Sequence, residues 1–565
     1  MKSELCMKKT KIIKQKEKEK MIKKRMTAVI SALLVMLMLV GMMTGCGLSA
    51  QDNQNTANLL IQVEAQGYGS QFARALANAY NQKNTGVTVE VVEDAISGGA
   101  ADMALQTETA IDIFFTVNNN VHPTLAGTEK YKWADLSDVY NAPLVGYVES
   151  GEGVAIKDKI EPFILEAYTY KDGKQYAIPW TPVFTGWVYN ASLWESTNAK
   201  LQQAGQAPLE MPRTTEELWA LLDRINTPEV QKASGSASGF TCATSSYGYL
   251  EYIFGNWYAQ YAGKDETYNF VKGMDANGVY TAEIFKSDGR YAAYEAMREL
   301  LLKANGYNQL ETDFKKMQVN FIKGKSFFSS NGDWMEMEAS SELNPGDSSV
   351  QFIRLPMLSA VVNNPKIAAD FTGTAEEKDA KLATIVDYID ANYGNKAGSP
   401  VVEEAAAQQL GVSLGTLQFL TESRLMRQCS PCHTIVVTEY SDMLEEAKDF
   451  LAFVYSKEGQ EIFMQSTYGV SAPLLVDYTQ FDYYENATAL SKSKMNMLQN
   501  SLLVVDEAKS FPMQYVSGGM RMCRAGMIDR FGSANPGDVS GAIAEEYDYY
   551  SAIWSDLMDA AGVSN

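Results

Sequence analysis

A chain of 565 residues with 46% hydrophobic and 11% aromatic content is long enough for two or more cores, or for two lobes of one module. Its formal net charge of −21 argues against nucleic acid and anionic lipid surfaces as partners and says little about a neutral ligand. Of six cysteines, only Cys242, Cys429, Cys432 and Cys523 lie in the body of the chain. These are too few to staple a domain of this size, so the apolar core has to carry its stability.

The first 45 residues are a different material. Lys8 to Arg25 is densely basic, Ala28 to Met43 is apolar and uncharged, and Met43-Thr44-Gly45-Cys46 closes the segment. That order is the order of a cleaved export signal, and the apolar run of about 16 residues is short for a membrane span. The last four residues resemble a bacterial lipobox, with Met43 where leucine is commoner. The resemblance implies that Cys46 is diacylated and becomes the mature N-terminus, two acyl chains being what stable anchoring requires. Removal of residues 1–45 takes away eleven Lys/Arg and three Asp/Glu and leaves a net charge of −29. Residues 46–56 then read as a tether.

In the body, Leu59 to Val63 is a short apolar run, Gly67-Tyr68-Gly69 is a glycine loop, and Phe72, Leu76 and Tyr80 share one helix face. Val87 to Val92 alternates as a strand, a small-residue helix follows around Ala100 to Gln106, and Ile111 to Val117 is a continuous apolar strand. Strands alternating with helices imply a parallel sheet with covered faces. The stretch Asp172 to Asn190, DGKQYAIPWTPVFTGWVYN, opens on a hairpin-type turn. Pro179 and Pro182 forbid a helix interior there, while Phe184, Trp187, Val188 and Tyr189 favour extended backbone. It reads as a crossover between two lobes, the alternative being an ordinary core strand.

Thr214 and Glu217 are spaced as a capping box for a helix to about Ile225. Tyr247 to Tyr261 is dense in aromatic residues, and a helix from Tyr291 leads to a strand entry at Phe321 to Phe328 and then to Asn331-Gly332-Asp333-Trp334. Ile353 to Pro356 is another extended piece. Residues 361–433 change character, with two polar, alanine-rich helical patterns either side of Gly394 to Pro400 and no obvious strand, as an inserted helical subdomain would have. Thr434 to Thr438 resumes a β-branched strand, and Ser441 to Tyr455 is a helix with Leu444, Ala447, Leu451 and Val454 in one stripe. The last helix, from about Val539, aligns Ile543, Tyr547, Tyr550, Trp554 and Leu557 as a packing face.

Cys429-Ser430-Pro431-Cys432-His433 has the C-x-x-C-H form of covalent haem attachment. His122 is the one other histidine and no spacing makes it a second axial ligand, so a Cys429 to Cys432 disulfide or free thiols are the alternatives. Zinc lacks a fourth ligand. No nucleophile elbow, P-loop, dinucleotide fingerprint or metal-binding helix is visible, and no pair among the 69 acidic residues is marked as a glycosidase pair. The expectation is therefore no catalytic residue, no metal and no cofactor. What stands out is a set of aromatics in expected loops: Tyr68, Trp180, Trp187, the Tyr247 to Trp257 cluster and Trp334. Sugar rings stack their C–H faces on such side chains while their hydroxyls need polar partners, which Asn118, Asn119 and Asp333 at strand ends would supply.

The order of segments resembles the extracellular solute-binding lipoproteins of ABC importers, in particular the carbohydrate-binding group that includes maltose-binding protein. The marks are the lipobox at Cys46, LLIQVEAQGYGSQF, DIFFTVNNN, DGKQYAIPWTPVFTGWVYN, PRTTEELWALLDRI, FIKGKSFFSSNGDW, and AKDFLAFVYSKEGQEIF followed by GVSAPL. The resemblance implies a two-lobed α/β periplasmic-binding-protein-like fold with a hinge and a central cleft. It puts residues 57–175 with 434–485 in lobe 1, residues 176–360 with 486–565 in lobe 2, and crossings near Tyr176 to Asn190, near Thr434 and before the final helices. Its binding loops carry over to Gln66 and Tyr68, to Asn118 and Asn119, to Trp180, Thr181 and Val183, to Tyr247 and Tyr249, and to Asp333 and Trp334. Where the maltose binder has charged groups this chain has Asn118, Asn119 and Asn120, and Val183 stands for the crossover glutamate, which argues against maltodextrin itself. The implied function is a monomeric binding protein, membrane-tethered through Cys46, that captures a carbohydrate, an oligosaccharide above all, for ABC permease subunits. A non-sugar solute or a secreted glycan-acting enzyme are the other readings.

Overall fold

The computed structural model describes residues 57–64, 67–83, 85–94, 107–117, 132–170, 172–243, 248–304, 313–343, 349–394, 396–398, 400–429, 433–505, 523, 530–531 and 537–560. The expected signal segment 1–45, the tether with Cys46, the small-residue helix around 100–106, Cys432, and the site candidates Gln66, Asn118, Asn119 and Tyr247 lie outside the described residues.

In chain order the strands are β1 (Ala57–Glu64), β2 (Val87–Asp94), β3 (Ile113–Thr116), β4 (Ile178–Thr181), β5 (Thr185–Asn190), β6 (Ser238–Thr241), β7 (Ser326–Gly332), β8 (Val350–Ile353), β9 (Met426–Cys429), β10 (His433–Val437) and β11 (Leu502–Val505). The first sheet has the order β2-β1-β3-β10-β4. Leu59, Ile61 and Val63 are fully buried, as a strand covered on both faces requires, and the helix Gln71–Asn81 lays Phe72, Leu76 and Tyr80 over it. Gly67 and Gly69 both hold φ of +69°, the left-handed turn that glycine adopts without steric cost between that strand and helix.

β1 is parallel to β2 and β3, as the strand-helix alternation predicts. The expectation of a parallel sheet fails at β10, which runs antiparallel to both β3 and β4. The cause is topological: β10 belongs to no βαβ unit and returns from a distant part of the chain, so nothing forces its direction to match.

The second sheet has the order β6-β7-β5-β8, with β6 parallel to β7 and β5 antiparallel to both of its neighbours. The chain passes from the first sheet to the second within Pro182-Val183-Phe184, between β4 and β5. Val183 holds φ of +51°, a strained conformation for a β-branched residue, and its amide donates to Thr181 Oγ1 at 3.1 Å. Trp187 turns into the core of the second sheet, stacked on Phe240 at 5.0 Å and Phe328 at 5.3 Å, so it is not a loop aromatic.

Three helices, Ala375–Tyr393, Glu404–Leu410 and Leu414–Leu425, share an apolar cluster with Met357 and Val361. The sequence pattern suggests two helices here, but Gly411 in a left-handed C-cap divides the second. β9, which that pattern did not place, starts directly at Met426 and pairs in parallel with β11. At Thr214 the cap is formed by Glu217 donating its amide to Oγ1 at 3.3 Å, while the Glu217 carboxylate accepts from the Arg213 amide, one residue earlier than a capping box.

The last helix, Val539–Ala560, docks through Ile543, Tyr550, Trp554 and Leu557 as expected. Its Glu546 is ion-paired to fully buried Arg290, whose guanidinium lies 5.0–5.3 Å from the rings of Phe254, Phe270 and Phe285. Among the described residues no helix is long and apolar enough to cross a membrane.

Candidate functional site

The turn after β1 sends Tyr68 inward, and its hydroxyl donates to Asp333 Oδ1 at 2.5 Å. Asp333 directly follows β7 and its amide donates to the Phe184 carbonyl at 2.8 Å, so the crossover itself fixes the carboxylate. Thr181, the last residue of β4, donates its hydroxyl to Asp333 Oδ2 at 3.4 Å. Strand ends of both sheets therefore converge on one carboxylate, and the crevice beyond strand ends is where open α/β sheets place ligands.

The electrostatics of this group are those of a desolvated network. Asp333 is 4% exposed, and burial pushes its carboxyl above the usual range against the pull of Lys494, Tyr68 and Thr181. Lys494, on the helix Ala489–Leu498, is 3% exposed; burial pushes its ammonium down, and Asp333 and Glu336 hold it up. Burial, and then the Asp333 charge, hold the Tyr68 phenol well above its ordinary value, so it stays a donor. Glu336 in turn accepts from Thr488 at 2.8 Å and Ser491 at 2.5 Å.

Beside the carboxylate stands an aromatic corner. Trp334 is half-buried, its indole N–H donates to the Tyr249 hydroxyl at 3.4 Å, and its ring meets those of Tyr249 and Tyr252 edge-on at 6.3 and 6.2 Å. The indole lies so close over Gly332 that a Cβ there would fall 2.1 Å from it. From the other side, Gly67 approaches until its own Cβ would lie 3.7 Å from the Trp334 Cβ.

Of the residues singled out in the sequence, Tyr68, Thr181, Asp333, Trp334 and Tyr249 come together. Trp180 does not belong to an exposed loop: it is 2% exposed within β4, stacked on Phe72 at 5.1 Å, with its N–H donated to the Thr116 carbonyl at 3.2 Å. There it supports Tyr68 edge-on from beneath at 5.4 Å. From Gly248 on, the aromatic run is likewise no loop but the helix Gly248–Ala262, in which Phe254, Trp257 and Tyr258 are fully buried and Tyr249 and Tyr252 meet Trp334.

Sequence reasoning missed Lys494, Glu336 and Glu64, and had Tyr252 only as part of the Tyr247 to Trp257 cluster. Glu64 ends β1 and accepts from the Thr116 hydroxyl at 3.0 Å and the Val117 amide at 2.6 Å, fixing the strand end that leads toward Asn118. His433, noticed only as part of C-x-x-C-H, packs edge-on against Tyr68 at 5.5 Å. The acidic alternation around Glu336 was the one signal open to the sequence; Lys494 carried none. Among the described residues no group of His, Cys, Asp and Glu is arranged to hold a metal ion. Cavities of about 340 Å³ beside Tyr258 and about 840 Å³ between Arg213 and Thr384 lie elsewhere and share no residue with this convergence.

The model of the bacterial extracellular solute-binding protein family matches residues 75–492. No curated protein sequence matches the chain. Among solved structures, the apo form of RafE from Streptococcus pneumoniae is similar with a TM-score of 0.54 at 12% identity, over 89% of this chain and 99% of that one. The RafE complex with raffinose gives 0.49 at 12% identity, over 88% and 100%. The maltose-maltodextrin binding protein of Alicyclobacillus acidocaldarius gives 0.47 at 14%, over 87% and 100%. The likeness to apo RafE identifies the fold as the two-lobed α/β fold of solute-binding proteins.

Proposed function

The chain belongs to the bacterial extracellular solute-binding protein family, and from that premise we propose that it captures a carbohydrate, an oligosaccharide above all, and hands it to ABC permease subunits. The observation that carries the sugar reading is the partly buried Trp334, cornered by Tyr249 and Tyr252 and adjoining Asp333. An aromatic face for C–H stacking next to a carboxylate for hydroxyl groups is the pairing that sugar rings require. Tyr68 and Thr181 belong to the proposed set, to which the family resemblance adds Gln66, Asn118, Asn119 and Tyr247.

No bond is made or broken in this scheme. The two lobes, with β4 (Ile178–Thr181) closing the first sheet and so extending lobe 1 past the expected boundary at 175, move about the crossover at 182–184, and a solute touching both favours the closed form. The buried Lys494 beside Asp333 disfavours a polycation at the same place. Diacylation of Cys46 after loss of residues 1–45 would tether the protein outside the membrane. Melting temperatures of the purified protein, measured with neutral oligosaccharides, short peptides and spermidine, test the ligand class. A rise confined to the sugars supports the reading, and a rise confined to peptide or spermidine overturns it.

A further inference from the structure

Three guanidinium groups share one carboxylate where β8, β9 and the helices between them meet. Arg424, near the end of the helix Leu414–Leu425, donates through Nε and Nη2 to the two oxygens of Asp390 at 2.9 and 2.6 Å, and through Nη1 to the Leu355 carbonyl. Arg427, in β9 and 2% exposed, spends Nη1 on the carbonyls of Arg424 at 3.0 Å and Met426 at 2.6 Å. Its Nη2 is buried without a hydrogen-bond partner. Arg354, one residue past β8, gives Nη2 to the Gly394 carbonyl at 2.6 Å and to Asn500 Oδ1 at 3.0 Å, and its Nη1 is also buried and unpaired.

The charges do not balance among the described residues. Among the described residues Asp390 is the carboxylate that acts on both Arg354 and Arg427, and Arg424 already occupies both of its oxygens. Arginine does not deprotonate to escape burial, and a buried charge without a partner is costly. Burial and the repulsion of Arg354 and Arg424 oppose the charged state of Arg427, and among the described residues Asp390 acts against them.

We propose that this cluster is a binding site for a small inorganic anion, held by the unpaired N–H groups of Arg427 and Arg354. The site shares no residue with the Asp333 network. It gathers the edge of the second sheet (Arg354), the helical segment (Arg424) and the strand that leads back to the first sheet (Arg427), which pairs with β11 at Leu503. An anion there cancels repulsion between segments that must otherwise hold three like charges together, and it fixes the return strand by ionic contacts that the Arg–carbonyl bonds alone do not supply.

Thermal unfolding of the full chain tests this, with sodium chloride or sodium phosphate replacing sodium gluconate at constant ionic strength and pH. The expected result is a rise in Tm of roughly 1–3 °C for each tenfold increase in anion beyond its Kd. Response to chloride alone assigns a halide site and response to phosphate alone an oxyanion site. Arg427→Met abolishes the response and raises Tm in gluconate, because it removes an uncompensated charge; Arg213→Met, a change of a surface arginine, leaves the response intact. Arg354→Met serves in place of Arg427→Met if the latter fails to fold. Identical melting in all three salts, or an undiminished response in the Arg427 and Arg354 variants, overturns the proposal.

Discussion

The Tyr68 hydroxyl and the Asp333 carboxylate meet at 2.5 Å, joining the loop after β1 in one sheet to the end of β7 in the other. Both are buried, so Tyr68→Phe leaves Asp333 with the weaker Thr181 contact and an unreplaced loss of a donor. The expected cost is about 1–3 kcal/mol in urea unfolding. Because the bond ties the two sheets, the variant also binds its ligand more weakly without contacting a different ligand atom. Unchanged stability together with unchanged affinity would remove the bond from the closure equilibrium.

Trp334→Ala weakens sugar binding by on the order of 1–3 kcal/mol with little effect on folding. Gly332→Ala, whose Cβ would collide with the indole at 2.1 Å, displaces the same ring and produces a similar loss. The two changes combined lose no more than either alone, since they remove one interaction. Calorimetric titration of the four proteins checks this, and full additivity counts against it.

Glu161 gives stability a pH dependence. It is fully buried at the N-terminus of the helix Pro162–Ala167, its Oε2 accepts from the Ile164 amide at 2.9 Å, and burial pushes its carboxyl up to about 8 against the pull of nearby amides. A carboxyl raised above its unfolded value near 4.3 holds its proton in the native state and releases it on unfolding, so stability falls as pH rises from about 5 to 8. Glu161→Gln carries no titrating proton and flattens that fall. Parallel unfolding curves at pH 5 and pH 8 separate the two proteins, and equal slopes would exclude Glu161 as the source.

The buried Arg290–Glu546 pair fastens the last helix to the helix Asp288–Lys303. Glu546→Ala takes the paired carboxylate away from the buried Arg290 and costs about 3–5 kcal/mol, whereas the double change Arg290→Met with Glu546→Leu costs less than the single one. Chemical denaturation of both variants decides it. A double variant less stable than Glu546→Ala contradicts the argument.

Local features of this fold were legible because local chemistry makes them. Gly67 and Gly69 sit where φ is positive, and the two prolines with the aromatic run at 178–190 mark the passage between sheets. Tyr68 and Asp333 are 265 residues apart, and Thr181 and Asp333 152 apart, so their meeting leaves no periodic trace. A proline-flanked tryptophan reads as a loop residue in the sequence, and Trp180 is buried because the rings of Phe72, Phe463 and His433, all remote in the chain, pack against it. The direction of β10 and the gathering of Arg354, Arg424 and Arg427 depend in the same way on tertiary return paths.

Calorimetric titration of the purified protein with neutral tri- to pentasaccharides, followed by chromatography of the recovered sugar, tests the central claim most directly. The account predicts saturable binding at one site per chain, intact sugar, and affinity lost in Trp334→Ala. Sugar cleaved with turnover, or no sugar bound while a peptide or polyamine binds, would contradict it.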